Sequence, residues 1–181
     1  MKKIIVLCLA AVLAACSSTA QTDNPKEKQV EEKKKEVTAQ DALEQLRQKN
    51  ENVSDVIVFN EENDGNNLLG RLGEYIGKAD FSDARIPETF NTEEEKYQYG
   101  LHGGTIEVFR SEKDCDNRTK YIQSFMRADL GAFGVNQYVY QYDKALFRVS
   151  YDITPDQAQV YKEQMDEILG QKGTEIKQAE E

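Results

Sequence analysis

The sequence is short of basic charge, of histidine and of long apolar runs. Lys and Arg number 23 against 33 Asp and Glu, a formal net charge of −10 at pH 7. That balance excludes a DNA- or RNA-coating role, which needs a basic surface to release counterions from phosphates. Histidine occurs once, as His102. One imidazole and one thiol in the folded part cannot fill a tetrahedral zinc site without several carboxylates, so no metal is expected. The most apolar stretch, Ile4 to Leu13, is well short of the about 20 residues a bilayer-spanning helix needs. Hydrophobic residues make up 39% of the 181. With the glycines this sits at the low edge of ordinary globular composition, so a core can form without using every residue. Nine Tyr and seven Phe, grouped in strand-like runs, exclude a fully disordered chain.

What is present begins at the N-terminus. Met1-Lys2-Lys3 is a short positive segment, and the apolar run behind it ends in Leu13-Ala14-Ala15-Cys16, then Ser17, Ser18 and Thr19. A positive start, an apolar core and small residues before a cut are the features of a secretory signal peptide. With a cysteine directly after the small residues, the stretch resembles the lipobox of bacterial lipoproteins. The resemblance implies that residues 1–15 are removed and that Cys16 carries a diacylglyceryl group on its sulfur. The chain would then be lipid-anchored in the cell membrane on its extracytoplasmic face. An ordinary secretory signal with an incidental Cys16 is the plainer alternative. Ser17 is uncharged, unlike the Asp that often retains lipoproteins in an inner membrane.

Several expectations follow from that anchor. Each buried CH₂ contributes about 0.8 kcal/mol, so two acyl chains hold far more firmly than one. Losing Lys2 and Lys3 takes the basic residues to 21 against 33 acidic, or −12. An anionic domain is repelled by an anionic surface and should stand off from its own anchor. Cys8 leaves with the leader and Cys16 is acylated, so Cys115 has no partner for an internal disulfide.

Residues 16–37 form a lipidated cysteine and a polar tether, with only Val30 and Val37 apolar beyond the small residues. Such a segment buries too little surface to offset its ordering entropy. A domain is expected over 38–170 and a second polar tail over 171–181. Thr38 caps a first helix with Ala39, Ala42, Leu43 and Leu46 on one face. Asp55 to Phe59 reads as a β-branched, central strand. Asn60 to Asn67 is turn-rich, Tyr75 to Phe81 a short edge strand, and Ser82 to Gln98 a loop with a helical piece near Thr92 to Tyr97. Thr105 to Arg110 is a strand, and Ser111 with Asp114 starts a helix whose Cys115, Thr119, Ile122 and Met126 share a face. Tyr138 to Tyr142 and Ala145 to Tyr151 alternate about Asp143-Lys144 as a hairpin. Thr154-Pro155-Asp156-Gln157 opens the last helix, and Gly170 stops it. The order α-β-(β)-β-α-β-β-α predicts an α+β fold: a mainly antiparallel sheet of about four strands with helices on one face.

Four constellations could carry function. Cys115 and His102 are the one possible thiol–imidazole pair; Cys115 also falls on an apolar helix face, where a buried structural thiol sits. Asn60 to Asn66 is oxygen-rich, but an EF-hand register puts Arg71 where a bidentate Glu is needed. Gly70-Arg71-Leu72-Gly73 with Tyr75 could shape a ligand-facing turn, or simply a tight connection. Tyr138, Tyr140 and Tyr142 share one strand face, as core or as a recognition surface.

Asn66 to Phe81, Gly103 to Phe109 and the later hairpin resemble small uncharacterised lipoproteins and secreted proteins of Gram-positive bacteria, over most of residues 40–169. A Pro commonly follows the Arg in that family, where this chain has Leu72. The resemblance implies a Gram-positive host and one compact α+β domain, and carries no activity. Taken together, the sequence leads to an expectation of a monomeric, cofactor-free binding module at the cell envelope, bound to the bilayer through Cys16. Its ligand would be a protein, a peptide or a wall component. A small envelope enzyme using Cys115 and His102, or an inhibitor or accessory protein, are the alternatives.

Overall fold

A computed structural model describes residues 36–88, 90–126 and 137–177. The leader, Cys16 and residues 16–35 of the tether lie outside the described residues, and so do Gly131 and Gly134. The described chain begins with helix α1 (Ala39–Lys49) and strands β1 (Val53–Val58) and β2 (Tyr75–Asp83). Helix α2 (Glu93–Tyr99), strand β3 (Gly104–Phe109) and helix α3 (Glu112–Phe125) follow. Strands β4 (Gln137–Gln141) and β5 (Ala145–Ser150), helix α4 (Pro155–Leu169) and strand β6 (Thr174–Ile176) complete it. The strands form one sheet in the order β1-β2-β3-β5-β4-β6, every neighbouring pair antiparallel. No described helix is long and apolar enough to cross a membrane.

Local chemistry accounts for the helix starts. Thr38, Thr92, Ser111 and Thr154 each cap a helix with a side-chain oxygen that accepts the N–H three residues on. At α4 the box is reciprocal, because Gln157 Oε1 accepts the Thr154 N–H at 2.8 Å. Gly170 closes α4 in the left-handed region, φ 63°.

The α+β class is as expected; the packing differs in four ways. The described residues form six strands in place of about four. The helices cover both faces of the sheet, not one. On the first face α1 and α4 bring Leu43, Leu46, Tyr161 and Met165 against Phe81, Ile106, Phe147 and Val149. On the second, α3 brings Cys115 and Ile122 against Phe109, Val139 and Leu146. Strand β3 is buried at every position as a result. Third, the strand expected at the edge, β2, lies inside the sheet, while β1, expected to be central, is an edge strand. The apolar density of β1 serves the side contacts of its ends: Val53 packs in the α1 cluster, and Ile57 and Phe59 pack with Leu101.

The fourth difference is in the expected tail. Residues 174–176 add a strand to β4, with Tyr140 opposite Glu175. Asp166 fastens this return: its Oδ1 accepts the Gly173 N–H at 2.9 Å and the Tyr142 hydroxyl at 3.0 Å.

Candidate functional site

The pleat sends alternate residues of a strand to opposite faces. On the second face, beside α3, β2 presents Lys78, Asp80 and Ser82, β3 presents Thr105 and Glu107, and β5 presents Arg148. The register aligns them in rows. Asp80 lies opposite Thr105, which lies opposite Arg148; Lys78 lies opposite Glu107. Charge is thus concentrated where a sheet is usually apolar.

Each charge has a defined environment. Glu107 is fully buried, and Arg118 grips it with two bonds, Nε to Oε2 at 3.0 Å and Nη2 to Oε1 at 2.8 Å. Arg148 Nη2 adds a third bond to Oε1 at 3.2 Å. Burial opposes the Glu107 charge, but the two guanidiniums outweigh it and hold the carboxyl below its ordinary range. Asp64 reaches in from the loop before β2. Its Oδ2 accepts the Leu68 and Leu69 N–H groups at 2.9 and 3.1 Å and the Tyr75 hydroxyl at 2.7 Å, while Lys78 Nζ sits 3.2 Å from Oδ1. Burial raises the Asp64 pKa, yet these donors together bring it down to about 2. The Lys78 ammonium also rests 3.9 Å from the Phe59 ring centre.

Asp80 is different. It is 3% exposed, its Oδ2 accepts a long bond from the Leu101 N–H at 3.4 Å, the Thr105 side chain also acts on its carboxyl, and Oδ1 has no partner within hydrogen-bond distance among the described residues. Burial pushes its pKa up against the opposing pull of Lys78, Thr105, Arg148 and Leu101. The chain reaches this close only through Gly100, at φ 78°, where a Cβ would lie 2.6 Å from Asp80 Oδ2. Arg148 is the second incomplete group. Its Nη1 donates to Gln137 Oε1 at 3.1 Å and its Nη2 to Glu107, which leaves the buried Nε without an acceptor.

Asp80 and Arg148 both line a cavity of about 190 Å³. Lys78, Asp80, Thr105 and Arg148 form its floor, and Gly65-Asn66 and the end of α2 form its walls. A wider cleft of about 750 Å³ beside α1 and α4 is lined by none of the unpartnered buried polar atoms. A concave site with a few convergent polar groups is the usual form of a small-molecule site, and a carboxyl with a burial-shifted pKa is a common mark of one.

The residues singled out from sequence are scattered. Cys115 is fully buried at the start of α3 with its thiol toward Tyr142 O at 3.6 Å, and burial pushes its pKa up to about 12. His102 precedes the other end of β3, where its Nδ1 lies 3.3 Å from Glu88. A six-residue strand separates them, and the structure does not bring them together. In the Asn60–Asn66 loop the side chains of Asn60 and Asn63 are taken up by backbone N–H groups of the loop itself, and Asp64 turns inward. No group of three or more His, Cys, Asp or Glu among the described residues could hold a metal ion.

Arg71 is exposed, whereas Tyr75 is fully buried and supports Asp64 from the core. They form no common surface. Tyr140 and Tyr142 are in the core under α4, so the shared tyrosine face is packed. Tyr138 is half-buried, edge-on to the exposed Tyr151 with ring centres 4.3 Å apart.

The sequence reading missed Lys78, Asp80, Glu107, Arg118 and Arg148. A usable signal was present: ionisable residues in the middle of strands, alternating with Ala79, Phe81, Ile106, Val108, Phe147 and Val149. Ionisable groups are placed between core residues only when something satisfies or uses them. In comparisons with known proteins, no family model, no curated sequence and no solved structure matches this chain.

Proposed function

We propose that the protein is a lipid-anchored binding module of the cell envelope, and that its ligand occupies the cavity over Asp80 and Arg148. One observation carries this reading: Asp80 and Arg148, each with a buried polar atom that has no hydrogen-bond partner among the described residues, both line one cavity. A buried donor or acceptor left unmade costs about 1–3 kcal/mol, so two of them beside one opening mark a region kept at the expense of stability, as binding sites commonly are. The lipobox at Leu13-Ala14-Ala15-Cys16 supports the location, and the polar tether supports reach away from the membrane. Anchor and cavity together suit capture of a small component at the cell surface better than chemistry on one, since Cys115 and His102 lie apart.

The test is a ¹⁵N spectrum of the full chain titrated with the small-molecule fraction of a cell-wall digest. Binding in the cavity shifts the backbone signals of Gly100, Leu101, Thr105 and Arg148. A digest that leaves these unmoved, or moves only signals elsewhere, overturns the assignment of the cavity as the ligand site.

A further inference from the structure

Residues 90–101 lie over the second face of the sheet as a strap closed at its base. Glu88 Oε1 accepts the Ser82 hydroxyl at 2.6 Å and the His102 N–H at 3.1 Å. The His102 ring lies 3.3 Å from the other Glu88 oxygen and 3.4 Å from Pro87 O. Gly103 then joins the sheet, donating its N–H to Phe81 O at 2.9 Å. Both ends of the strap are thus fixed at one point on β2, the form of a compact Ω-type loop.

Away from that base the strap is held lightly. Helix α2 has no buried residue. Its cap at Thr92, the Asn91 N–H on Glu95 and the Glu93–Lys96 pair are bonds of the strap to itself. Among the described residues two polar ties reach the sheet. Lys96 stands 3.8 Å from the exposed Asp55, and the Leu101 N–H 3.4 Å from Asp80 Oδ2. An exposed ion pair contributes little, and a hydrogen bond of that length is weak. The remaining contacts are apolar: Leu101 in a small cluster with Ile57 and Phe59, and Tyr97 edge-on to Phe59 at 5.7 Å.

Against these contacts stands what the strap covers. Tyr97 to Leu101 wall the cavity of about 190 Å³ over Asp80, Thr105 and Arg148. In the closed form Asp80 Oδ1 and Arg148 Nε are buried from solvent, and neither has a partner among the described residues. Burial raises the Asp80 pKa, so hydration of its charge also opposes closure. Few buried apolar contacts, over polar groups left unmade, are the marks of an element that opens locally. Gly100 is what permits the closed form. Its φ of 78° and ψ of 165° belong to a region open essentially to glycine alone, and a Cβ there would lie 2.6 Å from Asp80 Oδ2.

We infer that residues 90–101 are a lid, hinged at the Glu88–His102 base, whose lifting admits solvent and ligand to Asp80, Thr105 and Arg148. That the lid serves a ligand rests on the cavity being the binding site; that it lifts does not. The closed cavity is the resting form of the site, and access to its polar floor is set by the lid.

The experiment needs no ligand. Thr105→Cys puts a thiol on the covered floor, and the fully buried Cys115 reports global unfolding in the same chain. The full chain is treated with excess iodoacetamide, and peptide mass separates these two thiols from the N-terminal cysteines. The thiol at residue 105 should react at least about tenfold faster than Cys115, and at least about tenfold slower than in the chain unfolded in urea. Gly100→Ala, which props the lid, should speed the reaction at 105 by a further factor of about ten without speeding that at Cys115. A rate at 105 equal to that of Cys115 means that the floor opens only by global unfolding, and the lid falls. A rate equal to that in urea means that the strap never closes, and an equal acceleration of both thiols by Gly100→Ala means that the strap is part of the core; either result overturns the lid. In the unmodified ¹⁵N-labelled chain the Leu101 amide should exchange at least about tenfold faster than the Ile106 amide of β3, and equal rates overturn the lid without any variant. If the lid lifts and the wall digest leaves Leu101, Thr105 and Arg148 unmoved, the lid stands and the ligand reading falls; the reverse result removes the lid and keeps the ligand reading.

Discussion

At the scale of single residues, the second sheet face is governed by how each buried charge is satisfied. Glu107 is held by two guanidiniums, and replacing it leaves Arg118 and Arg148 facing each other without a counter-charge. Removing one member of a buried pair typically costs about 3–5 kcal/mol, more than the pair itself is worth relative to an apolar pair. Glu107→Gln should therefore lower the urea midpoint sharply at neutral pH, and an unchanged midpoint would show that the arginines find another acceptor. Asp64 gives a pH test. Its pKa falls from 3.8 to about 2 on folding, so its contribution is present above its unfolded pKa and is lost as pH drops through the folded value. Asp64→Asn should flatten the dependence of the urea midpoint on pH between about 4 and 2 relative to the native chain. Asp80 has the opposite sign: its pKa is raised, so its ionisation weakens the fold as pH climbs. An Asp64→Asn profile as steep as the native one would assign the acid sensitivity elsewhere.

At the scale of elements, the caps and apolar faces of α1, α3 and α4 were legible because their signals are local; α2 was expected only as a helical piece near Thr92 to Tyr97. Thr38, Ser111 and Thr154 cap as residue type and spacing predict. Strand positions were not legible to the same degree. Whether β1 or β2 lies at the edge depends on which strands come home beside them, and a β-branched run alone does not encode its neighbours. The last strand illustrates the same limit. Gln171 to Glu181 is polar, and three residues of it nevertheless join the sheet because Gly173 passes close to the Tyr142 ring. A Cβ at residue 173 would lie 2.5 Å from Tyr142 Cζ. Gly173→Ala should cost about 1–3 kcal/mol, from overpacking against a buried aromatic ring. Thermal unfolding measures it, and a loss smaller than about 0.5 kcal/mol would mean that the ring yields or that β6 contributes little.

At the scale of the whole molecule, the proposed anchor and tether precede a sheet domain that carries charge on one face. The proposed anchor is tested without reference to the ligand. Cys16→Ser should move the protein from the detergent phase to the aqueous phase and abolish labelling by a palmitate analogue. Retention in detergent would mean that something other than the acylated cysteine holds it. The domain's acidity would act on its distance from the proposed membrane surface, and its cavity on the proposed ligand. These are separable properties, since neither Asp80 nor Arg148 lies near the N-terminal segment in the chain.

The sequence by itself determined the features that depend on neighbours a few residues apart. Those are the caps at Thr38, Ser111 and Thr154, the β4–β5 hairpin and the α+β class. They follow from capping chemistry, 3.6- and 2-residue periods and apolar length, all of which act along the chain. The candidate site was decided only by the tertiary structure. Lys78, Asp80, Glu107 and Arg148 come from three strands, Asp64 from a loop and Arg118 from a helix, and pairing them requires the sheet register. Each looked like an ordinary charged residue in sequence. What makes them a site is that α3 covers one end of the second face and leaves the other lined by charges. The partners of those charges, and the two atoms without partners, exist only when the strands are side by side.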